Sequence, residues 1–161
     1  MLANIKPVGY HAWADDRTLA LFVLGSPATL QLAHTTSGSA TMLVRGIGRS
    51  IQRIPGGGTI SFVQRVGATA NGDVTLSIHE LDPTTHRIRP LVDAVAGARE
   101  ADCAWTPGGM LVMAEKDVLY GWTRGDAGWR RLADLAALGL HGVTRIAISP
   151  TGDRIAFLTQ S

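Results

Sequence analysis

Several features are scarce in this sequence, and each scarcity excludes a class of protein. Cys103 is the single cysteine, so no internal disulfide can form, and no Cys/His spacing typical of a zinc site occurs. No apolar run reaches the ~18 residues of a membrane span. Residues 1–7 lack the charged region and long apolar core of a signal peptide. The sequence predicts no membrane span and leaves the compartment undetermined.

Charge is also scarce. Charged residues make up 17% of the chain and hydrophobic ones 45%, a composition typical of one folded domain. The net charge is +2, and no run of basic residues is longer than the pair Arg130 and Arg131. Nucleic-acid binding usually requires a dense basic face. We therefore predict no nucleic-acid partner.

A hairpin unit is repeated four times. Its clearest copy is residues 146–158, where two apolar runs flank the turn Ser-Pro-Thr-Gly. Pro150 presets φ at the first central turn position, and Gly152 accepts a positive φ. The three earlier copies are residues 13–22, 53–62 and 105–113.

The spacing of the copies indicates the fold class. The first core position of the second strand recurs every 40 to 50 residues or so, with further short strands between copies, which is typical of propeller blades. These positions are Leu19, Ile60, Leu111 and Ile155. Residues 19–24 are apolar on both faces, as expected of a strand between two sheets. Residues 133–142 are rich in Ala and Leu and could hold a helical turn.

We therefore predict an all-β fold, a single partial β-propeller over residues 1–161. It has about three complete four-stranded blades, plus partial blades at both ends. The repeats are expected at approximately 8–45, 50–92, 101–133 and 143–161.

The last hairpin resembles the repeats of the TolB-like, WD-type β-propeller family. Units of that family carry the pattern Trp-Ser-Pro-Asp-Gly-x-x-Ile-Ala-Phe. Residues 148–157 read Ile-Ser-Pro-Thr-Gly-Asp-Arg-Ile-Ala-Phe, and the resemblance covers nearly the whole chain. It implies a propeller, and many members are exported. Members include periplasmic partner-binding proteins and non-catalytic propellers attached to peptidases and other hydrolases. The resemblance implies no shared catalytic residue.

The predicted blades are fewer than a ring needs, since propellers close with about four to eight. We therefore expect apolar blade faces to be open at both ends. We also expect two or more copies to complete a ring, with residues 2–5 and 155–159 contributing to a shared blade.

Residues that could carry chemistry have simpler interpretations. Asp15 and Asp16 could form a cation site or an acid–base pair, but their place in the repeat favours a polar turn. The triple glycine at 56–58 lacks the Lys-Ser/Thr of a phosphate-binding loop and is interpreted as a hairpin turn. No Gly-x-Ser-x-Gly elbow occurs. The histidines have no metal-ligand spacing within one element; they are His11, His34, His79, His86 and His141. We predict no catalytic, cofactor-binding or metal-binding residue.

The tryptophans could form a ligand platform or pack between blades. Trp13 and Trp105 occupy the same repeat position, which favours interblade packing. His11 should share a face with Trp13, near the central channel or a blade interface. Trp122 and Trp129 fall in outer strands, and we expect Trp129 to be the exposed one if any is.

The function predicted is a non-enzymatic scaffold that holds a protein or peptide with loops at the ring's rim, and that self-associates as a homodimer or larger. One alternative is a propeller appendage, a gate or substrate-selecting domain, of a hydrolase whose catalytic domain lies outside this chain. Another is a propeller fragment whose activity is self-assembly alone.

Overall fold

The structure is a computed structural model, and it describes residues 5–68, 72 and 74–160. In that part of the chain, strands account for nearly all regular structure. They are β1 Val8–Trp13, β2 Thr18–Val23, β3 Thr29–His34, β4 Ala40–Arg45, β5 Ile47–Arg53, β6 Ile60–Ala68, β7 Val74–Leu81, β8 Ile88–Asp93, β9 Cys103–Trp105, β10 Met110–Glu115, β11 Val118–Thr123, β12 Arg130–Asp134, β13 Val143–Ile148 and β14 Ile155–Thr159. One 3₁₀ turn, Ala136–Leu138, confirms the helical turn expected after β12.

The strands form four antiparallel sheets in chain order. Sheet 1 is β1–β4, sheet 2 is β5–β8, sheet 3 is β9–β12, and sheet 4 is the pair β13–β14. Each strand pairs with its neighbour in the chain, as a meander does. This arrangement confirms the predicted all-β class, and among the described residues the sheets do not close into a ring. No helix in the described ranges is long and apolar enough to cross a membrane.

The inner hairpin of every sheet has the same register, at the positions where the sequence has its four similar hairpins. The equivalent cross-strand pairs are Trp13↔Leu19, Arg53↔Ile60, Trp105↔Leu111 and Ile148↔Ile155. The adjoining pairs are Ala12↔Ala20, Gln52↔Ser61, Ala104↔Val112 and Ala147↔Ala156. Gly152 adopts φ +75° in the turn of sheet 4, as the turn chemistry required.

Apolar clusters fill the spaces between consecutive sheets. We call the face of a sheet that lies on the side of the next sheet in the chain its forward face, and the opposite face its backward face. Between sheets 1 and 2, Ala12, Ala20 and Phe22 pack with Ile51 and Phe62. Similar clusters lie between sheets 2 and 3 and between sheets 3 and 4. All six residues of β2 are buried, which confirms that this strand is covered on both faces.

The two equivalent tryptophans have different environments. Trp105 is buried between sheets 2 and 3, and its indole Nε1 donates to Ser61 Oγ at 2.8 Å, as interblade packing predicts. Trp13 is 47% exposed, so the same prediction is wrong for Trp13. Among the described residues, the buried backward face of sheet 1 packs with Ile5 and not with a neighbouring sheet, and Trp13 lies at the uncovered edge of that face.

The exposed tryptophan is Trp13, and not Trp129 as predicted. Trp129 is half-buried, and its Nε1 donates to the carbonyl of Asp93 at 2.7 Å. Trp122 is buried. His11 is exposed on the same face as Trp13, as its spacing required. Residues 2–4 of the expected shared strand lie outside the described residues, whereas 155–159 form β14.

Candidate functional site

A charged cleft lies where the connections between the sheets meet. The first strands of the sheets, β1, β5, β9 and β13, are neighbours in space. Two adjoining cavities of about 490 and 920 Å³ lie beside them. Both cavities are lined by Arg49, Arg99, Glu100, Asp102 and Arg145. We call these five residues and the space between them the charged cleft.

The local structure explains why these charges face the cleft. Arg49 lies in β5, between Ile47 and Ile51, where the pairing of β5 with β6 is irregular. Such an irregularity changes the direction in which nearby side chains point. Arg99 and Glu100 lie in the connection between sheets 2 and 3. Connections run over the surface, so they can carry charges that the packed faces between sheets cannot.

Arg145 links three sheets at the bottom of the charged cleft. Its Nη1 lies 3.7 Å from Asp102 Oδ1, which precedes β9. Its Nη2 donates to the hydroxyl of Tyr10 on β1 at 2.9 Å, and its guanidinium carbon lies 5.6 Å from the Tyr10 ring centroid. The side chain is half-buried at 29% exposure, and its two partners contact it from different parts of the chain. Arg145 is therefore a prearranged cation and not a freely moving surface arginine.

The carboxylates of the cleft are partly desolvated. Burial raises the pKa of Asp102, against the opposing effects of the Ile146 amide, which donates to Oδ2 at 2.8 Å, and of the Arg145 and Arg49 charges. Burial likewise raises the pKa of Glu115, which lines the larger cavity, against the charges of Lys116 and Arg99. Carboxyl groups with perturbed pKa values in a cleft are typical of binding and catalytic sites.

Cations exceed carboxylates along both cavities. Arg49 is paired with Glu100, and Arg145 with Asp102. Among the residues that the structure describes, Arg99 has no carboxylate within ion-pairing distance. Arg65 and Lys116 add further positive charge at the edges. The cleft can therefore accept an additional anionic group without displacing an existing pair.

The acidic and glycine-rich candidates from the sequence are turns, as expected. Asp15 Oδ1 accepts the amides of Arg17 and Thr18 at 2.7 and 2.8 Å, and these hydrogen bonds hold its pKa below the usual value. Asp16 is exposed beside it. In the triple-glycine hairpin, the Ile54 amide donates to the carbonyl of Thr59 at 2.9 Å.

The histidines stay apart and lie on different elements. His34 lies near Thr18 Oγ1, His141 lies near Asp117, and His79 is packed against Phe62. His11 is on β1, and His86 is in the turn after β7. In the described ranges no three His, Cys, Asp or Glu side chains are grouped so that they could hold a metal ion.

The charged cleft was missed by the analysis of the sequence. Its residues are isolated in the chain, and no motif joins them. One signal was available: Arg49, Asp102 and Arg145 each lie at or next to the beginning of the first strand of a repeat. Asp102 and Arg145 occupy the same repeat position and Arg49 lies one residue earlier in its repeat, so these charges among apolar neighbours could have indicated a common location.

Solved structures with the same arrangement of sheets exist. The chain superimposes on TolB from Acinetobacter baumannii with a TM-score of 0.68 at 17% sequence identity, over 96% of this chain and 38% of TolB. The fold is that of a TolB-like β-propeller. No protein-family model matches the sequence, and no curated protein matches it significantly.

Two further propellers support this fold. The oligogalacturonate lyase in complex with manganese gives a TM-score of 0.66 at 14% identity, over 96% of this chain and 45% of the lyase. The tricorn protease gives 0.56 at 16% identity, over 88% of this chain and 14% of the protease. The TolB-like chain thus spans less than half the length of each of these structures. At such identities the likeness concerns the fold.

Proposed function

We propose that this TolB-like chain is a non-enzymatic scaffold that binds a protein or peptide in the charged cleft and associates with other copies of itself. The observation that carries the proposal is the charged cleft itself, in which Arg145 contacts Asp102 and Tyr10 and Arg99 forms no ion pair with any described residue. A prearranged cation beside an unpaired one is suited to recognising carboxylate groups of a partner.

The lining of the cleft supports a peptide over a small apolar ligand. Small-molecule sites are mostly apolar with a few polar groups. Here charged side chains dominate the shared lining, and the two cavities adjoin along it. An extended peptide carrying Asp or Glu side chains could follow both cavities and meet Arg99 and Lys116.

The blade assignment is part of the proposal. We infer that sheets 1, 2 and 3 are complete blades and that sheet 4 is part of a fourth. In the described residues β14 pairs with β13 alone, so its other edge has free backbone groups. Such an edge is suited to pairing with a further strand. Self-association would supply a covering surface for the face of sheet 4 on which Ala147, Ala156 and Leu158 are exposed.

A second candidate function is favoured by one comparison. In the tricorn protease, a propeller segment similar to this chain is a small part of a much longer protein. This chain would then be a gate or substrate-selecting appendage of a hydrolase. In that case the charged cleft would select substrates, and catalysis would take place in another domain.

A panning experiment tests the binding proposal. The full chain is immobilised and exposed to a phage-displayed library of random peptides, and the enriched peptides are synthesised and titrated by fluorescence polarisation. We expect enrichment of Asp- and Glu-containing peptides. Arg99→Glu should weaken their binding by about tenfold or more, because it replaces an attraction with a repulsion.

The matched control is Arg154→Glu, the same charge reversal on an exposed side chain in the β13–β14 turn, outside the cleft. It should leave peptide binding unchanged. If no peptide is enriched, or if both variants bind equally well, the cleft is not the binding site. Mass spectrometry of the peptides after incubation tests the non-enzymatic part, and specific cleavage would contradict it.

A further inference from the structure

We propose that the smaller cavity of the charged cleft binds a phosphorylated side chain of the partner peptide. This inference rests on the peptide binding in the proposed function, and it assigns the chemical class of the residue that anchors the peptide. The argument is that the smaller cavity has two more arginines than its carboxylates balance, whereas the larger cavity has a smaller surplus of positive charge.

The smaller cavity, of about 490 Å³, is rich in arginine. Among the described residues that line it, the carboxylates are those of Glu100 and Asp102, and every cation is an arginine. The arginines come from four separate parts of the chain: Arg49 from β5, Arg65 from β6, Arg99 from the connection between sheets 2 and 3, and Arg145 from β13. Four positive charges therefore line this cavity together with two negative ones.

Two of the four arginines already have carboxylate partners. Glu100 forms an ion pair with Arg49. Asp102 Oδ1 lies 3.7 Å from Arg145 Nη1. Burial raises the pKa of Asp102, and the charges of both Arg145 and Arg49 oppose this rise, so both guanidinium groups lie near one carboxylate. The two ion pairs therefore form one connected group that is electrically balanced.

The other two arginines of the smaller cavity, Arg65 and Arg99, are not balanced. No carboxylate of a described residue lies within ion-pairing distance of either side chain. Both residues are exposed. The Arg65 amide donates to the carbonyl of Gly46 at 2.9 Å, so Arg65 lies beside the glycine that joins β4 to β5 and lines the same cavity. Two unpaired positive charges at one cavity match a phosphate monoester, whose charge is about −1.5 to −2 at pH 7.

The geometry of arginine also favours phosphate as the ligand. A planar guanidinium group can donate two parallel hydrogen bonds to two oxygens of one phosphate. The phosphate of a phosphorylated side chain has three strong acceptor oxygens, so it can accept from Arg65 and Arg99 together. A single carboxylate would leave one of these two charges unbalanced. Clusters of arginine are a recurring means of recognising phosphorylated segments.

The larger cavity has a different charge balance. Besides the five residues of the charged cleft, it is lined by one further cation, Lys116, and one further carboxylate, Glu115. Arg65 is not among its lining residues. Its surplus is therefore one positive charge, which matches one Asp or Glu side chain. The expected partner is a peptide that carries a phosphorylated residue in the smaller cavity and an acidic residue in the larger one.

Fluorescence polarisation with two labelled peptide mixtures tests the proposal on the full chain. Both mixtures consist of short peptides with random flanking residues. They differ only at the fixed central residue, which is phosphoserine in one mixture and glutamate in the other. We expect the chain to bind the phosphoserine mixture about tenfold more tightly or better, because the phosphate balances both unpaired arginines. Equal affinity for the two mixtures would overturn the inference.

Two variants that each remove one cation separate the two cavities. Arg65→Gln changes the lining of the smaller cavity alone, and Lys116→Gln that of the larger cavity alone. Both residues are exposed, so folding should persist. We expect Arg65→Gln to weaken binding of the phosphoserine mixture by about tenfold and of the glutamate mixture by about threefold or less. Lys116→Gln is the matched control and should weaken both mixtures by the same factor. Equal weakening of both mixtures by Arg65→Gln would overturn the inference.

Competition with inorganic phosphate distinguishes a phosphorylated peptide from free phosphate. Inorganic phosphate should displace the phosphoserine mixture only at a concentration about a hundredfold higher than unlabelled mixture does, because it makes no contact along the larger cavity. Displacement at equal concentrations would identify free phosphate as the ligand and overturn the assignment to a peptide. If neither mixture binds, the proposed peptide binding fails together with this inference. If both bind with equal affinity, this inference alone fails.

Discussion

Glu80 offers the sharpest test of how the sheets are held together. This carboxylate on β7 is 5% exposed. Thr59 Oγ1 donates to Oε1 at 2.7 Å, Arg89 Nε donates to Oε2 at 2.7 Å, and Arg124 Nη2 lies 3.2 Å from Oε2. Arg124 lies in the turn that directly follows β11 of sheet 3, so Glu80 links sheet 2 to that turn. Replacing Glu80 by Gln keeps the shape and removes the charge.

The size of the expected stability loss depends on how far the two arginine partners of Glu80 are buried. Breaking a fully buried ion pair costs about 3–5 kcal/mol. Here Arg89 and Arg124 are 67% and 52% exposed, so water can solvate both after the change. Each lost charge-assisted hydrogen bond then costs about 1 kcal/mol net. We expect Glu80→Gln to lower the free energy of unfolding by about 2 kcal/mol at neutral pH, measured by equilibrium urea unfolding with tryptophan fluorescence.

The pH dependence of the free energy of unfolding gives a second test of the role of Glu80. Burial alone would raise the pKa of Glu80, but the hydrogen bonds from Arg89 and Thr59 and the charge of Arg124 outweigh it and hold the pKa below the ordinary 4.5. The contribution of Glu80 to stability is therefore complete above the unfolded-state pKa and is lost as pH falls through the folded-state value. The difference between wild type and Glu80→Gln should shrink in acid.

Glu100→Gln is the matched control. Glu100 also pairs with an arginine, but its side chain is 63% exposed. Exposed pairs contribute at most about 1 kcal/mol, so this change should have a smaller effect than Glu80→Gln. The reasoning is refuted if Glu80→Gln unfolds at the wild-type urea concentration, or if the two substitutions cost the same.

Two further predictions concern buried groups. Burial lowers the pKa of His79 against the opposing charge of Asp93, and both ring nitrogens are buried without a hydrogen-bond partner among the described residues. His79 therefore binds a proton more readily in the unfolded chain than in the folded chain. The free energy of unfolding in urea should fall from pH 7 to about pH 5, and His79→Phe should reduce this fall. An equal fall in the variant would contradict the prediction. Burial raises the pKa of Cys103 to about 12. The native thiol should therefore not react with Ellman's reagent until urea unfolds the chain, and rapid native reaction would show that sheets 2 and 3 separate.

The position of a residue in the repeat could be predicted, but its burial could not. Trp13 and Trp105 are equivalent in sequence and in register. Trp105 is covered because sheet 2 lies against it, whereas in the described part of the chain no neighbouring sheet packs against Trp13. A repeat pattern describes one unit at a time, so it cannot tell which units have neighbours on both sides.

The sequence by itself determined the hairpins, their period and the all-β class. Turn chemistry at Pro150 and Gly152 and the apolar pattern of each strand act over a few residues, so the sequence expresses them directly. The tertiary structure alone decided that Arg145 meets both Asp102 and Tyr10. These contacts join residues that are far apart in the chain, so they depend on the distances between sheets. Those distances are set by the packing of whole sheet faces and not by any local sequence pattern.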